Sequence, residues 1–436
     1  MFLKAYIPTK ILLFVVFISN LAACSAYNSG SEKIQNESDL KTLSGSFALA
    51  QQVDPPPIIQ SIQLYPQGNE LAPPIINLGE PRRLILEFDY LDAGVQQFKV
   101  TVSHRNKNWG ESPIGPTIYL DSFFETFFGD GRKSFVQKPT YYHYTFSFPN
   151  QQLSITKSGN YLLSVFDNDS NTLLFRIPFF VSENTGTLST RIETLFAQRN
   201  DSRSLAQPFS EYRFPAFVQQ PQFDLSFMYV QNQFWGRTRE STIFDTATPG
   251  IVNFHLARDK SFIDDFEFIL LDIRSFRPDG QEIIEFQPAE EPPVITLRRD
   301  IQRFDSRPSR FPGPKLGLPD DDLQAEYGII KFSLQPAIEI SPDEQMYLVG
   351  DFNNWMIDPR YRMQFDSTRS LWEGKALIKQ GVYAYKYVLL EDYIINDLAL
   401  DRTLIEPRQE YITFVYYNDP QRNFDRLLKV DVLPAR

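Results

Sequence analysis

Cysteine is almost missing from this chain: Cys24 is the single one among 436 residues. No intrachain disulfide can form, and the fold must hold together without one. Histidine is nearly as scarce, with only His104, His143 and His255, and none stands in the His-Glu-x-x-His spacing of a zinc enzyme. Phosphate-cradling glycine loops and Gly-x-Ser-x-Gly elbows are also lacking. Positive charge is in deficit. The net charge of −11 and pI near 5.0 leave no broad basic face to displace counterions, which argues against nucleic acid and anionic lipid as partners. No apolar run reaches the ~20 residues that a membrane-spanning helix needs. What the chain does hold is 38 Phe, 21 Tyr and 31 Pro, residues that favour strands and turns over long helices.

The first residues carry an address. Lys4 and Lys10 flank a start that runs into the apolar stretch Ile11 to Ile18, and Leu21-Ala22-Ala23-Cys24 follows with small residues before the cysteine. That is the layout of a signal peptide over residues 1–23. The last four residues resemble the lipobox of bacterial lipoproteins, which implies cleavage before Cys24 and diacylation of its thiol; a buried core cysteine is the alternative. Acyl chains add about 0.8 kcal/mol per buried methylene, so more than one chain anchors persistently. No acidic cluster follows Cys24, which by resemblance to known sorting signals points to the periplasmic face of the outer membrane. Residues 24–55 are polar and run into Asp54-Pro55-Pro56-Pro57. They are expected to form a disordered tether with an r.m.s. span of roughly 30 Å.

The rest of the chain is expected to be all-β, as three β-sandwich domains. In the first, residues 58–183, Leu84, Leu86, Phe88 and Tyr90 alternate with Arg83, Ile85, Glu87 and Asp89, and Tyr142, Tyr144, Phe146 and Phe148 alternate with His143, Thr145 and Ser147. Period two is the mark of a half-buried strand. Pro178 within Leu173 to Val181 places that strand at an edge. A second β domain, residues 186–299, shows Phe223, Leu225, Phe227 and Tyr229 at the same period. Residues 300–322 are rich in Pro, Arg and Asp and form a linker. Residues 323–433 make the third domain. Strands at this spacing with turns between them indicate sandwiches of the immunoglobulin-like kind.

Candidate chemistry is thin. His104 and His143 could meet in the first domain, but no further ligand set accompanies them. Asp167 to Asn171 imitates the start of a calcium loop, then Thr172 and Pro178 replace the glycine and glutamate it needs, so a tight Asx turn is the better fit. Gly129-Asp130-Gly131 is a turn, and Asp320-Asp321-Asp322 a solvated linker face. Glycoside cleavage needs two carboxylates from different elements at a set separation, which the neighbouring pairs Asp264 with Asp265 and Asp121 with Glu125 do not by themselves establish. No catalytic residue, metal site or cofactor is therefore assigned.

Two resemblances add to this. Tyr347 to Trp355, Leu371-Trp372-Glu373-Gly374 and Gly381 to Val388 resemble the early-set, glycogen-binding type of immunoglobulin-like module. The resemblance implies sugar contact by Trp355 and Lys386, with Tyr393 about where a second tryptophan is usual and Glu391-Asp392 replacing an Asp-Gly. On the strand itself Tyr383, Tyr385, Tyr387 and Leu389 share one face and Val382, Ala384, Lys386 and Val388 the other, so core aromatics with Lys386 at a rim is the structural alternative. A wider set of motifs in order, His104 to Trp109 with Pro113, Tyr141 to Asn150, Ser158 to Phe166, Val230 to Trp235, Lys379 to Val388 and Val415 to Leu427, resembles the type IX secretion system plug protein family. The chain departs from that family at Ser164 and in the aromatic segment Asp121 to Phe128. The resemblance implies a non-enzymatic plug that caps the periplasmic mouth of a large outer-membrane β-barrel translocon while idle. A glycan-binding lipoprotein and a polysaccharide-acting enzyme are the other readings, in that order.

Overall fold

The alternation of Leu84, Leu86 and Phe88 with Ile85, Glu87 and Asp89 turns one set of side chains inward to a common core. In the computed structural model, which describes residues 43–92, 94–136, 139–196, 204–264, 267–278, 282–302, 323–401 and 409–434, the structure is all-β. Among the described residues the α-helices are single turns at Pro116–Tyr119 and Pro221–Asp224. Strand Leu84–Tyr90 lies between Ile59–Pro66 and Tyr142–Phe148, with Arg132–Lys133 beyond. A second sheet faces it, in the order Ile75–Asn77, Leu173–Ser182, Gly159–Asp167, Phe98–Arg105 and Glu125–Phe128. Aromatic rings fill the space between: Phe88 meets Phe98 edge-on at 5.0 Å, Phe175 at 5.4 Å and Tyr144 in a stack at 5.5 Å. Such pairs are worth about 0.5–1.5 kcal/mol each beyond the area they bury.

The second sheet is buried on both faces. Tyr161, Leu163 and Val165 point into the first core, whereas Leu162 and Phe180 point the other way onto Met228, Val230, Ile412 and Phe414. Those four belong to a third sheet ordered Arg239–Ser241, Leu225–Gln231, Tyr411–Asp419 and Phe424–Leu433. Its other face, carrying Phe227, Tyr229 and Val415, packs on a fourth sheet built of Thr187–Phe196, Ser204–Arg213, Ile251–His255 and Ile243–Asp245, with Phe262–Ile263 alongside. Polar groups inside this stack are paired, as burial demands. Thr413 bonds Thr190 at 2.9 Å, Thr190 bonds Ser210 at 3.0 Å, and the Tyr229 hydroxyl donates to Ser210 at 2.9 Å.

A further sandwich sets Ile269–Asp272, Val382–Glu391 and Gln345–Gly350, edged by Ile394–Asn396, against a sheet ordered Ile283–Gln287, Val294–Leu297, Tyr327–Gln335, Leu371–Lys379 and Gln364–Asp366, with Asp300–Ile301 also pairing Tyr327–Gln335. Tyr383, Tyr385, Tyr387 and Leu389 form its core with Ile330, Phe332 and Leu348. The hydroxyls of Tyr385 and Tyr387 both donate to Asp300 Oδ2, at 2.6 and 2.5 Å.

Strand pairing redraws the expected boundaries. Leu225–Gln231, expected in the domain 186–299, pairs along its whole length with Tyr411–Asp419, expected in the domain 323–433. Ile269–Asp272 pairs with Val382–Glu391. Alternation reveals which face of a strand is buried but is silent about its hydrogen-bonding partner. Residues 43–55, expected to be tether, are packed structure: Phe47, Ala48 and Leu49 are buried. Leu173–Ser182 is an interior strand, not an edge. Its Pro178 falls between the Val53–Arg176 bridge and the pairing of Ile75–Asn77 with residues 180–182, so its missing N–H leaves no gap in a ladder. The signal peptide 1–23, Cys24, the tether as far as residue 42, residues 303–322 of the linker and Asp265 lie outside the described residues.

Candidate functional site

The early-set signature builds a braced turn. The Asn353 side chain accepts from Gly350 N at 2.9 Å and donates to Leu348 O at 3.1 Å, and Trp355 N donates to Gly350 O at 3.0 Å. Gly350 is required for close approach: a Cβ there would lie 2.6 Å from Ala384 O. Asp351 completes the brace, accepting from Ala384 N at 2.7 Å and from the Trp355 indole N–H at 3.0 Å. The turn aims Trp355 inward. Its ring lies 5.7 Å from Phe47, 5.1 Å from Phe234 and 5.3 Å from Phe268, and it is 8% exposed.

Lys386 is buried as well, not placed at a rim. It forms an ion pair with Asp401 and donates to Glu267 O at 3.2 Å. Burial raises the Asp401 carboxyl to about 6 against the lowering pull of Lys386. Tyr393 is half exposed. The three residues do not share an open face, because Phe47 covers the indole and Asp401 takes the ammonium.

The histidines stand apart. His104, on Phe98–Arg105, bonds Ser158 O at 3.1 Å and packs on Tyr161 and Phe424, and burial lowers it to about 4. His143 sits on the opposite sheet of the first sandwich, and His255 stacks on Phe209 at 4.9 Å. Asp167 accepts from the backbone and hydroxyl of Ser170, each at 2.7 Å, which is the Asx turn expected.

A constellation that alternation hid lies on the polar face of Leu84–Tyr90. Asp89 points away from the first core, yet it is fully buried under the further sandwich. Lys379 Nζ donates to its Oδ2 at 2.8 Å, the Tyr327 hydroxyl donates to the same oxygen at 2.6 Å, and His143 Nδ1 reaches Oδ1 at 2.8 Å. Tyr327 also meets the Ser61 hydroxyl at 2.7 Å, and the Lys379 ammonium lies 4.4 Å from the Tyr141 ring centre. Burial pulls His143 down, but the hydrogen bond to the Asp89 carboxylate and the Glu87 carboxylate 3.8 Å from Nε2 outweigh it and raise the imidazole to about 9. A lone aspartate on a strand's outer face carries no signal of this, although Tyr141, His143 and Lys379 all fall within the motifs that resemble the plug family. The cluster joins two sandwiches.

Several apolar side chains of the first sandwich face outward. Glu125–Phe128 is the last strand of its sheet and, among the described residues, pairs only with Phe98–Arg105. Phe128 turns inward onto Phe98 and Phe146, while Phe127 turns out, and Phe123 and Phe124 just before the strand are also exposed. Of these exposed side chains Phe127 stands on the strand itself, at a free edge of the kind that pairs readily with another chain.

An all-β body of packed sandwiches, with buried ion pairs at its joints and an aromatic edge, has the character of a structural interaction protein. Residues 59–183 match the family model described as "Type 9 secretion system plug protein 1st domain", and the chain thus carries the first domain of that plug family. Among solved structures, a hypothetical protein from Parabacteroides merdae superposes with a TM-score of 0.78 at 21% identity, covering 90% of this chain and 99% of that one. The two share a fold throughout. The C-terminal domain of the Streptococcus agalactiae AgI/II polypeptide BspA, at 8% identity, covers 87% of this chain and 100% of that one with a TM-score of 0.18. Dimeric latent PorU from Porphyromonas gingivalis, at 10% identity, covers 87% and 34% with a TM-score of 0.14; neither likeness bears on fold. No curated protein matches the chain.

Proposed function

We propose that this protein is a non-enzymatic plug that seals the periplasmic opening of the type 9 secretion translocon barrel while no substrate is passing. The observation that carries this is the match of residues 59–183 to the plug family's first domain. The physical properties suit the task. A stopper needs stiffness, and four stacked sheets tied to a further sandwich by Asp89 and Lys379 resist bending. It also needs a surface to seat on the barrel, for which Phe123, Phe124 and Phe127 on the matched domain are the candidates. A lipid on Cys24 would hold a displaced plug close to its pore and raise its effective concentration for reclosure. The periplasmic face of the outer membrane follows from the same reading. Glycan binding at Trp355, Lys386 and Tyr393 is less well supported, because a sugar could stack on the indole only after Phe47 had left.

Affinity purification of the tagged chain from its native outer membrane in mild detergent tests the proposal. A very large β-barrel should co-elute, and deleting the gene should make the outer membrane permeable to large antibiotics. Recovery of the chain alone, with an unchanged barrier, would overturn it.

A further inference from the structure

Residues 43–53 make no ladder of their own, yet they touch three separate parts of the body. Ser44 N donates to Tyr393 O at 2.8 Å and its carbonyl accepts from Ile395 N at 3.0 Å, a parallel bridge to the edge of Ile394–Asn396. Phe47 inserts between Phe234, at 4.7 Å edge-on, and Trp355, while the Arg237 guanidinium lies 3.8 Å above its ring. Arg237 Nε also donates to Gly45 O at 2.9 Å, and Gly236 N to Phe47 O at 3.0 Å. Leu49 enters the next core, with Trp109 and Trp235. Val53 then bridges Arg176 of the first sandwich.

The groove has the features of a receptor for this segment. Gly236 is the one residue type that fits there, since a Cβ would lie 2.2 Å from Ala48 O and 2.6 Å from Ser46 O. The strap supplies backbone to a sheet edge and one aromatic anchor to a pocket, the two elements by which strand-addition sites hold extended peptides. A cavity of about 170 Å³ lies beneath it, lined among others by Phe47, Gln52, Asn232 and Trp355.

We propose that the groove formed by Phe234, Gly236, Arg237, Trp355 and the edge Ile394–Asn396 is a peptide-docking site whose resident ligand is the chain's own strap, residues 43–53. The ligand class is an extended segment with a single aromatic anchor followed by small and aliphatic residues, as in Ser46-Phe47-Ala48-Leu49. Release of the strap uncovers Trp355, Phe234 and Phe268 together. The inference stands independently of the plug reading, because it rests on contacts within this chain.

The test is amide hydrogen exchange on the full mature chain carrying Phe47→Ala, read by mass spectrometry, with and without a synthetic peptide of residues 43–53. Exchange in fragments containing Gly236 and Ile395 should quicken at least tenfold, with Leu84–Tyr90 and Leu225–Gln231 unchanged. The peptide should restore protection, and the same peptide with alanine for phenylalanine should not. Ser44→Pro, which removes the bond to Tyr393 O without opening a hole, should give the same local acceleration and decides the matter if the first variant does not fold. Unchanged exchange, loss of protection throughout the body in both variants, or no restoration by the peptide would overturn the proposal.

Discussion

Asp89 and Lys379, 290 positions apart in the chain, meet at 2.8 Å with both side chains shut away from water. Removing one partner of a buried pair strands the other, at a cost of about 3–5 kcal/mol. Lys379→Met should therefore lower the urea midpoint at pH 7, by less than that full cost because protonated His143 still pairs with Asp89 Oδ1. Asp89→Asn in the same chain should recover much of the loss, because an amide can still accept from Tyr327 and carries no charge. A double-mutant cycle with no coupling between the two positions would show that the joint lies elsewhere.

Protonated His143 supports the same joint, and the sign of its effect is fixed. Its folded value of about 9 exceeds the ordinary imidazole value, so its contribution is complete below about pH 6.5 and is lost as pH rises through about 9. Stability from this source should fall on the order of 2 kcal/mol across that window. Urea unfolding of the chain and of His143→Gln at pH 6.5 and 9.5 checks it: the variant should show the smaller drop.

Glu410 shifts stability in the same pH direction for a different reason: its neutral form, not its charged form, is the one the fold favours. It lies beside Asn232, and burial raises its carboxyl to about 8. The folded state is penalised once this group ionises, so the contribution is full below about pH 4.5 and lost as pH climbs through 8. Glu410→Gln should be close to neutral at pH 5 and should stabilise at pH 9 by about 1–2 kcal/mol. Thermal unfolding at the two pH values reads the difference. An equal effect at both would mean that the carboxylate is hydrated.

The sequence was most readable where a strand has one dry face. Leu84, Leu86 and Phe88, and again Tyr383, Tyr385 and Tyr387, lie inward as their period requires. Partner choice was not readable, since Phe227 pairs with Val415 across most of the second half of the chain and nothing local encodes that. The strap was hidden for a different reason. Phe47 and Leu49 are isolated apolar residues in a polar stretch, and two anchors do not make a period. Asp89 looked solvent-facing because the surface that covers it comes from Tyr327 and Lys379, far along the chain. The early-set resemblance pointed Trp355 toward sugar, but whether its ring met sugar or protein depended on the strap.

The aromatic edge of the first sandwich yields the prediction closest to function. Phe123 is 72% exposed and Phe127 53% exposed, and Phe127 stands on a strand whose outer side pairs with nothing among the described residues. Surface substitutions away from packed features usually change stability by less than about 0.5 kcal/mol. Phe123→Asp with Phe127→Asp should therefore leave the melting temperature nearly unchanged. If these rings seat the plug, the pair should reduce recovery of the outer-membrane barrel at least tenfold and make the envelope leaky. Phe365→Asp serves as the control, because Phe365 is 54% exposed on the further sandwich, outside the matched domain. Equal losses from both changes would mean that added charge, not the lost edge, breaks the contact. Retention of the barrel by the double variant would move the seat to another face.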